Sequence, residues 1–375
     1  MGHLAAKGRV GYDAAHPADG PKGEGRLEGR YRQQVAYWLY ACCIMVLAMV
    51  VIGGVTRLTG SGLSIVNWEP VRRWLPPTST AEWQAMFDLY RTSPEYLKVH
   101  ATTMDLAGFQ GIFWLEYIHR LVGRIAGMVF LFPFLFFLLT RRLPGTLAPR
   151  LMGIFLLGGA QGLLGWYMVK SGLVNDPSVS PYRLTAHLML AFLIHVALFW
   201  TALSLHLGVT TVPPATTRGM RRAAWALTGL IALTVASGGF VAGLKAGHAF
   251  NTFPLMDGHW IPPEYGQLEP FWHNFFENIA TVQWDHRLLA VVTLCSVLLF
   301  RVAALRHILP ARTRNGLNFL VGVAMLQVGL GIATLLLEVP LFLAAGHQGN
   351  ALILLTAALF VTHQLHHPAP MRNPI

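Results

Sequence analysis

The chain has 375 residues, 54% of them hydrophobic and only 12% charged, with a formal net charge of +11. That balance excludes an ordinary soluble domain and a disordered chain, and it predicts a polytopic membrane protein. The three cysteines, Cys42, Cys43 and Cys295, lack the spacing of a dithiol pair and supply no disulfide framework.

Residues 1–34 are rich in Gly, Ala, Lys, Arg and Asp and are expected to form a disordered cytoplasmic segment. Apolar runs long enough to cross a bilayer follow at 37–55, 118–139, 151–169, 184–206, 223–242, 285–305, 317–337 and 341–362. The first lies behind a charged segment and has no small-residue cleavage site after it, so it reads as a retained helix and not a signal peptide. The expected fold is an all-α bundle of eight transmembrane helices.

Short-loop charge orients the bundle. Lys7, Arg9, Lys22, Arg26, Arg30 and Arg32 precede the first span, and Arg141, Arg142, Arg150, Arg218, Arg221, Arg222, Arg306, Arg312 and Arg314 flank later turns. All fall on one side if both termini are cytoplasmic. The long loops 56–117 and 243–284 lie on the other side and carry most of the acids. The basic surplus therefore follows topology, and no soluble basic face for a nucleic acid is visible.

An internal repeat underlies the spans. VIGGVTRLTGSG, EYIHRLVGRIAG, GGAQGLLGWY and LTAHLMLAFL are followed in the same order by ASGGFVAGLKAG, TVQWDHRLLAVV, AMLQVGLGIA and LAAGHQGNAL. His119 and His286 are 167 positions apart, Gln161 and Gln327 166, and His187 and His347 160. Two tandem four-helix repeats are expected, 35–208 with outer loop 56–117 and 209–367 with outer loop 243–284, related by a pseudo-twofold axis along the membrane normal. Gly123 with Gly127, and Gly158 with Gly162, suit close helix contacts.

The repeat gives four histidines matching places. His119, His187, His286 and His347 lie on spans that run from the outer side inward, all near the outer leaflet. A bundle can aim facing side chains at one cofactor, and a neutral imidazole is a good axial ligand for haem iron. A lone histidine at a helix end is more often structural; four at equivalent positions favour ligation. His195 lies deeper and is expected to be packed or hydrogen-bonded, while His206, His363, His366 and His367 fall at cytoplasmic ends with structural roles as the default. Zinc asks for three or four protein ligands, and each half offers two histidines without paired cysteines.

The segments VIGGVTRLTGSGLSIVNWEPV (51–71), FWLEYIHRLVGR (113–124), GAQGLLGWYMVKSGL (159–173), FNTFPLMDG (250–258) and NFFENIATVQWDHRLLA (274–290), with GHQGNA around His347, carry a resemblance. The chain resembles the haem A synthases of the cytochrome oxidase assembly family, in their cysteine-poor proteobacterial and mitochondrial class, over most of its length. The resemblance implies oxidation of the C8 methyl of haem O, through a hydroxymethyl intermediate, to the formyl group of haem A for terminal oxidase assembly. It implies that His119 and His187 ligate haem O or haem A in the first half, and that His286 and His347 ligate a haem b in the second. An inner-membrane location follows, with membrane lipid around the helices. Candidate partners are haem O synthase, terminal-oxidase assembly factors and an electron donor of unassigned identity.

The acid of the family's first motif matches Glu116, and Gln283 stands in its place in the second half. Glu116 and His119 share a helix face at i,i+3, so the carboxylate is a candidate catalytic group that orients water or accepts protons. The plain alternative is an acid favoured by the helix dipole. Arg120 and Arg287 follow the first histidine of each pair and are candidate haem propionate contacts; an interfacial snorkel is the competing account. Arg57 is a further candidate, with Arg72, Arg73 and Lys245 weaker ones. EWQAMFDLY (82–90) is an aromatic, amphipathic patch that reads as a cover for the haem pocket or a docking surface. On residues alone, two other classes stay open: a two-haem b-type electron carrier, indifferent to Glu116, and a two-repeat transporter, marked by broken helices at mid-membrane.

Overall fold

The computed structural model describes residues 22–66, 74–143, 145–173, 178–207 and 218–366. Its helices are α1 (Lys22–Leu58), α2 (Thr80–Arg91), α3 (Leu106–Leu139), α4 (Leu147–Gly172), α5 (Pro181–Leu207), α6 (Arg218–Gly243), α7 (Asn274–Glu277), α8 (Ile279–Ala304), α9 (Ala311–Leu336) and α10 (Leu341–His366). All but α2 and α7 are long and apolar enough to span a membrane, which makes the eight expected spans. Lipid offers no partner for backbone N–H and C=O, so apolar runs of this length close their hydrogen bonds within themselves as helices.

Three expectations are corrected. Helix α1 begins at Lys22, so 22–34 are helical and not disordered, because Leu, Glu, Arg and Gln there are good helix formers. Helix α3 begins at Leu106 and has 34 residues, about 51 Å at 1.5 Å per residue. Its first turns therefore stand outside the hydrocarbon core, where hydropathy alone read loop. Third, a Cβ on Gly127, Gly158 or Gly162 would meet nothing within 4 Å, and one on Gly123 only the Met49 methyl. Close helix contacts are made by other glycines. Residues 1–21, Arg72, Arg73, His367 and the expected boundary at 208/209 lie outside the described residues.

The spanning helices pack as two rings. Helices α1, α3, α4 and α5 enclose one apolar core, and α6, α8, α9 and α10 another. The rings meet through α1 on α10, α6 on α5, and α5 on α10. If α1 corresponds to α6 and α5 to α10, the first two contacts are mirror copies and the third lies between them. That pattern is consistent with the expected tandem repeat. Polar ties cross the same seam from its middle to its inner end: His195 Nε2 to Thr356 Oγ1 at 2.8 Å and Ser204 Oγ to His363 Nε2 at 3.1 Å. In the membrane interior such pairs satisfy groups that lipid cannot.

Outside the membrane, α2 packs on the extended start of α3. Ser79 caps α2 by accepting from the Glu82 N–H at 3.2 Å, and Glu82 in turn accepts from the Thr78 N–H at 2.7 Å. The expected aromatic patch faces inward: Met86, Phe87 and Tyr90 bury against Phe109 and Phe113. Glu95 is buried behind this cluster and accepts from the Tyr90 hydroxyl at 3.3 Å. Burial, with the Glu116 charge adding to it, pushes the Glu95 carboxyl up to about 7.

Candidate functional site

Each of the four histidines rests on a glycine of the preceding spanning helix. A Cβ on Gly53, Gly165, Gly238 or Gly331 would stand 3.1, 2.9, 3.0 or 2.9 Å from the ring of His119, His187, His286 or His347. Gly53, Gly238 and Gly331 lie five residues before the ends of α1, α6 and α9, and Gly165 lies seven before the end of α4. All four rings therefore share one end of the bundle, within two turns of the outer ends. The seats allow the edge of an imidazole to approach a neighbouring backbone closely, which any larger residue would obstruct.

The second pair is held by hydrogen bonds. Ser237 donates to the Thr234 carbonyl at 2.8 Å, so its oxygen accepts from His286 Nδ1–H at 2.8 Å. His347 Nδ1 lies 3.2 Å from the Gln327 carbonyl. A carbonyl only accepts, so Nδ1 carries the proton there too. In that tautomer each ring presents an Nε2 lone pair to a metal, the Gln327 amide nitrogen lying 3.5 Å from that of His347. Their centroids are 6.4 Å apart with planes at 87°. Two imidazoles sharing one metal through bonds of about 2 Å need ring centres about 6 Å apart, so this pair fits axial ligation of a haem iron.

The first pair has the same seats and fewer restraints. Gln161 Nε2 donates to the His187 carbonyl at 3.0 Å and lies 3.4 Å from His187 Nε2, as Gln327 Nε2 donates to the His347 carbonyl at 3.1 Å and lies 3.5 Å from His347 Nε2. Yet His187 Nδ1 and Gln161 Oε1 are buried and without a hydrogen-bond partner among the described residues. In His119 Nε2, and not Cε1 as in the other three, is the ring atom nearest its glycine.

Beside each first histidine an i,i+4 pair ties the helix to the preceding outer loop. Glu116, 2% exposed, accepts from Ser64 Oγ at 2.6 Å and the Ile65 N–H at 2.9 Å through Oε2, and from Arg120 Nε at 3.0 Å and Nη2 through Oε1. Arg120 Nη2 also reaches the Ile65 carbonyl at 3.2 Å. In the second half Gln283 Nε2 donates to the Ala246 carbonyl at 2.8 Å, and Arg287 donates to Gln283 Oε1 at 3.1 Å and to the carbonyls of Phe250 and Thr252, both at 2.8 Å. The Glu/Gln difference thus matches loops of opposite polarity, one presenting donors and the other acceptors. A carboxylate has about four acceptor positions, and Glu116 fills them all.

Arg57 is half-buried and has no hydrogen-bond or carboxylate partner among the described residues. A cavity of about 210 Å³ opens beside Arg120, between Ile65, Val66, Trp166, Lys170 and Leu173. Lys170, which stands 5.0 Å over the Trp166 ring, is a second cation at this edge that sequence reasoning passed over; its only signal was a lysine near the outer end of a span. Ser64, Ser237 and Asn350 were also missed. The glycine seats were legible in part, since Gly53 and Gly238 stand in matched GG pairs and Gly165 and Gly331 each follow a matched glutamine by four. Among the described residues no three His, Cys, Asp or Glu side chains converge on one point, so paired imidazoles are the metal-binding geometry present.

Fold and site together define a multi-pass helical membrane protein with two glycine-seated histidines in each half. Within that class, the chain belongs to the cytochrome oxidase assembly protein family, whose model matches residues 36–359. It is 51% identical over 335 residues to the heme A synthase of Nitrosospira multiformis, covering 89% of this chain and 94% of that protein. The heme A synthase of Paramagnetospirillum magneticum is 49% identical over 348 residues, 92% and 97% of the two chains. The heme A synthase COX15 of Arabidopsis thaliana is 44% identical over 350 residues, 90% of this chain and 75% of that one.

Proposed function

We propose that the first half of this chain binds haem O between His119 and His187 and releases haem A, while His286 and His347 hold a resident haem b. The activity is haem A synthesis, an oxidoreduction. Methyl to formyl is two successive two-electron oxidations with one oxygen gained, by way of the hydroxymethyl group. A haem b in the second half supplies one-electron transfer when bound. The observation that carries the assignment is the contrast between a hydrogen-bonded histidine pair in one half and a loosely restrained pair in the other. A resident cofactor needs the former, and a substrate that must leave as product suits the latter.

The residues around the first site then take roles. Arg120 and Lys170 face the cavity at the aqueous edge, where a haem propionate is the matching anion. Arg57 and Arg287 are further propionate candidates, one in each half. When Arg120 turns to a propionate, Glu116 Oε1 loses both of its donors and is free to accept a proton released during oxidation. Ser64, hydrogen-bonded to Oε2, is the next group on the way to the outer face. The segment around Ser64 and the α2 cap keep bulk water from the reacting edge. By loop charge, both termini lie in the cytoplasm and the haems lie toward the outer face of the bacterial inner membrane. Haem O synthase, oxidase assembly factors and an electron donor are the candidate partners in this role.

Glu116→Gln tests the catalytic assignment. Gln283 sits against a loop of acceptors, whereas a glutamine here would face the Ser64 and Ile65 donors with one acceptor oxygen in place of two; the haem b of the second half should survive and serves as the internal check that the bundle is folded. Haem O or its hydroxylated form should accumulate, with haem A formation slowed about a hundredfold, within the range for loss of a general base. Porphyrins extracted from cells supplied with haem O, separated by liquid chromatography and weighed, give the answer. A wild-type yield and rate of haem A would leave Glu116 as the anchor of Ser64 and Ile65 alone.

A further inference from the structure

The two histidine pairs share glycine seats and glutamines, and they part at two neighbouring positions. Ser237, one residue before the seat Gly238, takes the His286 Nδ1–H; the residue one before Gly53 is Ile52. Asn350, three residues after His347, donates to Gln327 Oε1 at 2.8 Å and to the Val323 carbonyl at 3.2 Å. The residue three after His187 is Leu190. The consequence is visible in the bonding. Asn350 fixes the Gln327 side chain, whose amide nitrogen reaches His347 Nδ1 at 3.3 Å and the His347 carbonyl at 3.1 Å, while the Gln327 backbone carbonyl faces the same Nδ1; Gln161 Oε1 and His187 Nδ1, the corresponding groups, are buried and bare among the described residues.

We infer that Ser237 and Asn350 are positioning residues that make the second haem site retentive, and that Ile52 and Leu190 make the first site releasing. The inference rests on the assignment of substrate to the first half. Its physical basis is that a hydrogen bond to the non-ligating nitrogen fixes an imidazole's tautomer and orientation and makes it a better donor to the metal. Loss of such a partner commonly weakens metal binding about 10- to 100-fold. Isoleucine and leucine supply neither donor nor acceptor. A site that held product as tightly as a cofactor would stall after one turnover, because equally tight binding of every species adds nothing to the rate. Two apolar residues thus set the exchange rate of the first site.

The test uses full-length protein purified with its haems and measures transfer of each haem to excess apomyoglobin, the released porphyrin being identified by mass. In Ser237→Ala and Asn350→Leu, haem b should leave about tenfold faster, and its low-spin bis-imidazole spectrum should gain a high-spin component. Ser237→Thr, which keeps the hydroxyl, should restore both. In the graft Ile52→Ser with Leu190→Asn, haem O and haem A should leave about tenfold more slowly, with the second-half spectrum unchanged. Unaltered haem b release and spectrum in both second-half variants, or unaltered release in a graft that still binds haem O, would overturn the inference. A different result marks failure of the underlying assignment: haem b weighed in the first half of the wild-type protein.

Discussion

The two halves of this molecule are built from the same parts and restrained to different degrees. Both place a glycine under each histidine, a glutamine behind the second, and an i,i+4 pair with arginine beside the first. In the second half the Nδ1 of both glycine-seated histidines, His286 and His347, has an acceptor; in the first, His187 Nδ1 is buried without one among the described residues. The lesson is that two halves can share the frame that seats a histidine and still differ in the few adjoining side chains that restrain it.

Removing the ligands should break the comparison most completely. His286→Ala or His347→Ala should abolish stable haem b, while His119→Ala or His187→Ala should leave haem b in place and deplete haem O and haem A. Pyridine haemochrome spectra of the four purified variants distinguish these outcomes. Equal depletion of all haems by any one substitution would mean that the halves do not bind independently.

The glycine seats sharpen it at the next level. Gly238→Ala puts a methyl 3.0 Å from His286 Cε1, and overpacking of this kind costs about 1–3 kcal/mol. The expected result is a shifted haem b spectrum and a lower thermal midpoint. Gly53→Ala should act on the first site alone. Gly322→Ala, where nothing lies within 4 Å of the new methyl, is the control and should match wild type in both readouts.

The smallest expected effect lies in the outer cap, which only the first half backs with a buried carboxyl. Glu95 titrates near 7 in place, against 4.5 for the free side chain, so the packed cap binds this proton more tightly than the open one. Cap stability is therefore greatest below about pH 4.5, falls as the pH rises to about 7, and is level above it. Glu95→Gln should remove that fall. Hydrogen exchange across residues 80–105 at pH 5 and pH 8 measures it, and the same pH dependence in the variant would assign the effect to another group.

Much of this was legible in the sequence. The eight spans are plain because a bilayer demands long apolar runs, and the four histidines stand out because they repeat among few polar residues. Hydropathy missed the start of α3, since Gln110 and Glu116 interrupt the apolar run without breaking the helix. Glycine spacing alone pointed to Gly158 and Gly162, whereas the glycines that matter face a histidine on another helix. Ser64, Ser237 and Asn350 gave no signal because their roles come from loops and helices brought together only in the fold. Glu116 was read from its neighbour His119, and its bonds to Ser64 and Ile65 span 52 and 51 residues.

The central claim is that one frame holds one haem for exchange and the other for keeping. The direct measurement is the time course of haem loss from wild-type protein, loaded with haem O, into apomyoglobin, with each released porphyrin weighed. Two phases are expected, haem O and haem A leaving first and haem b at least tenfold more slowly. Release of haem b at the same rate as haem O, or ahead of it, would contradict the account.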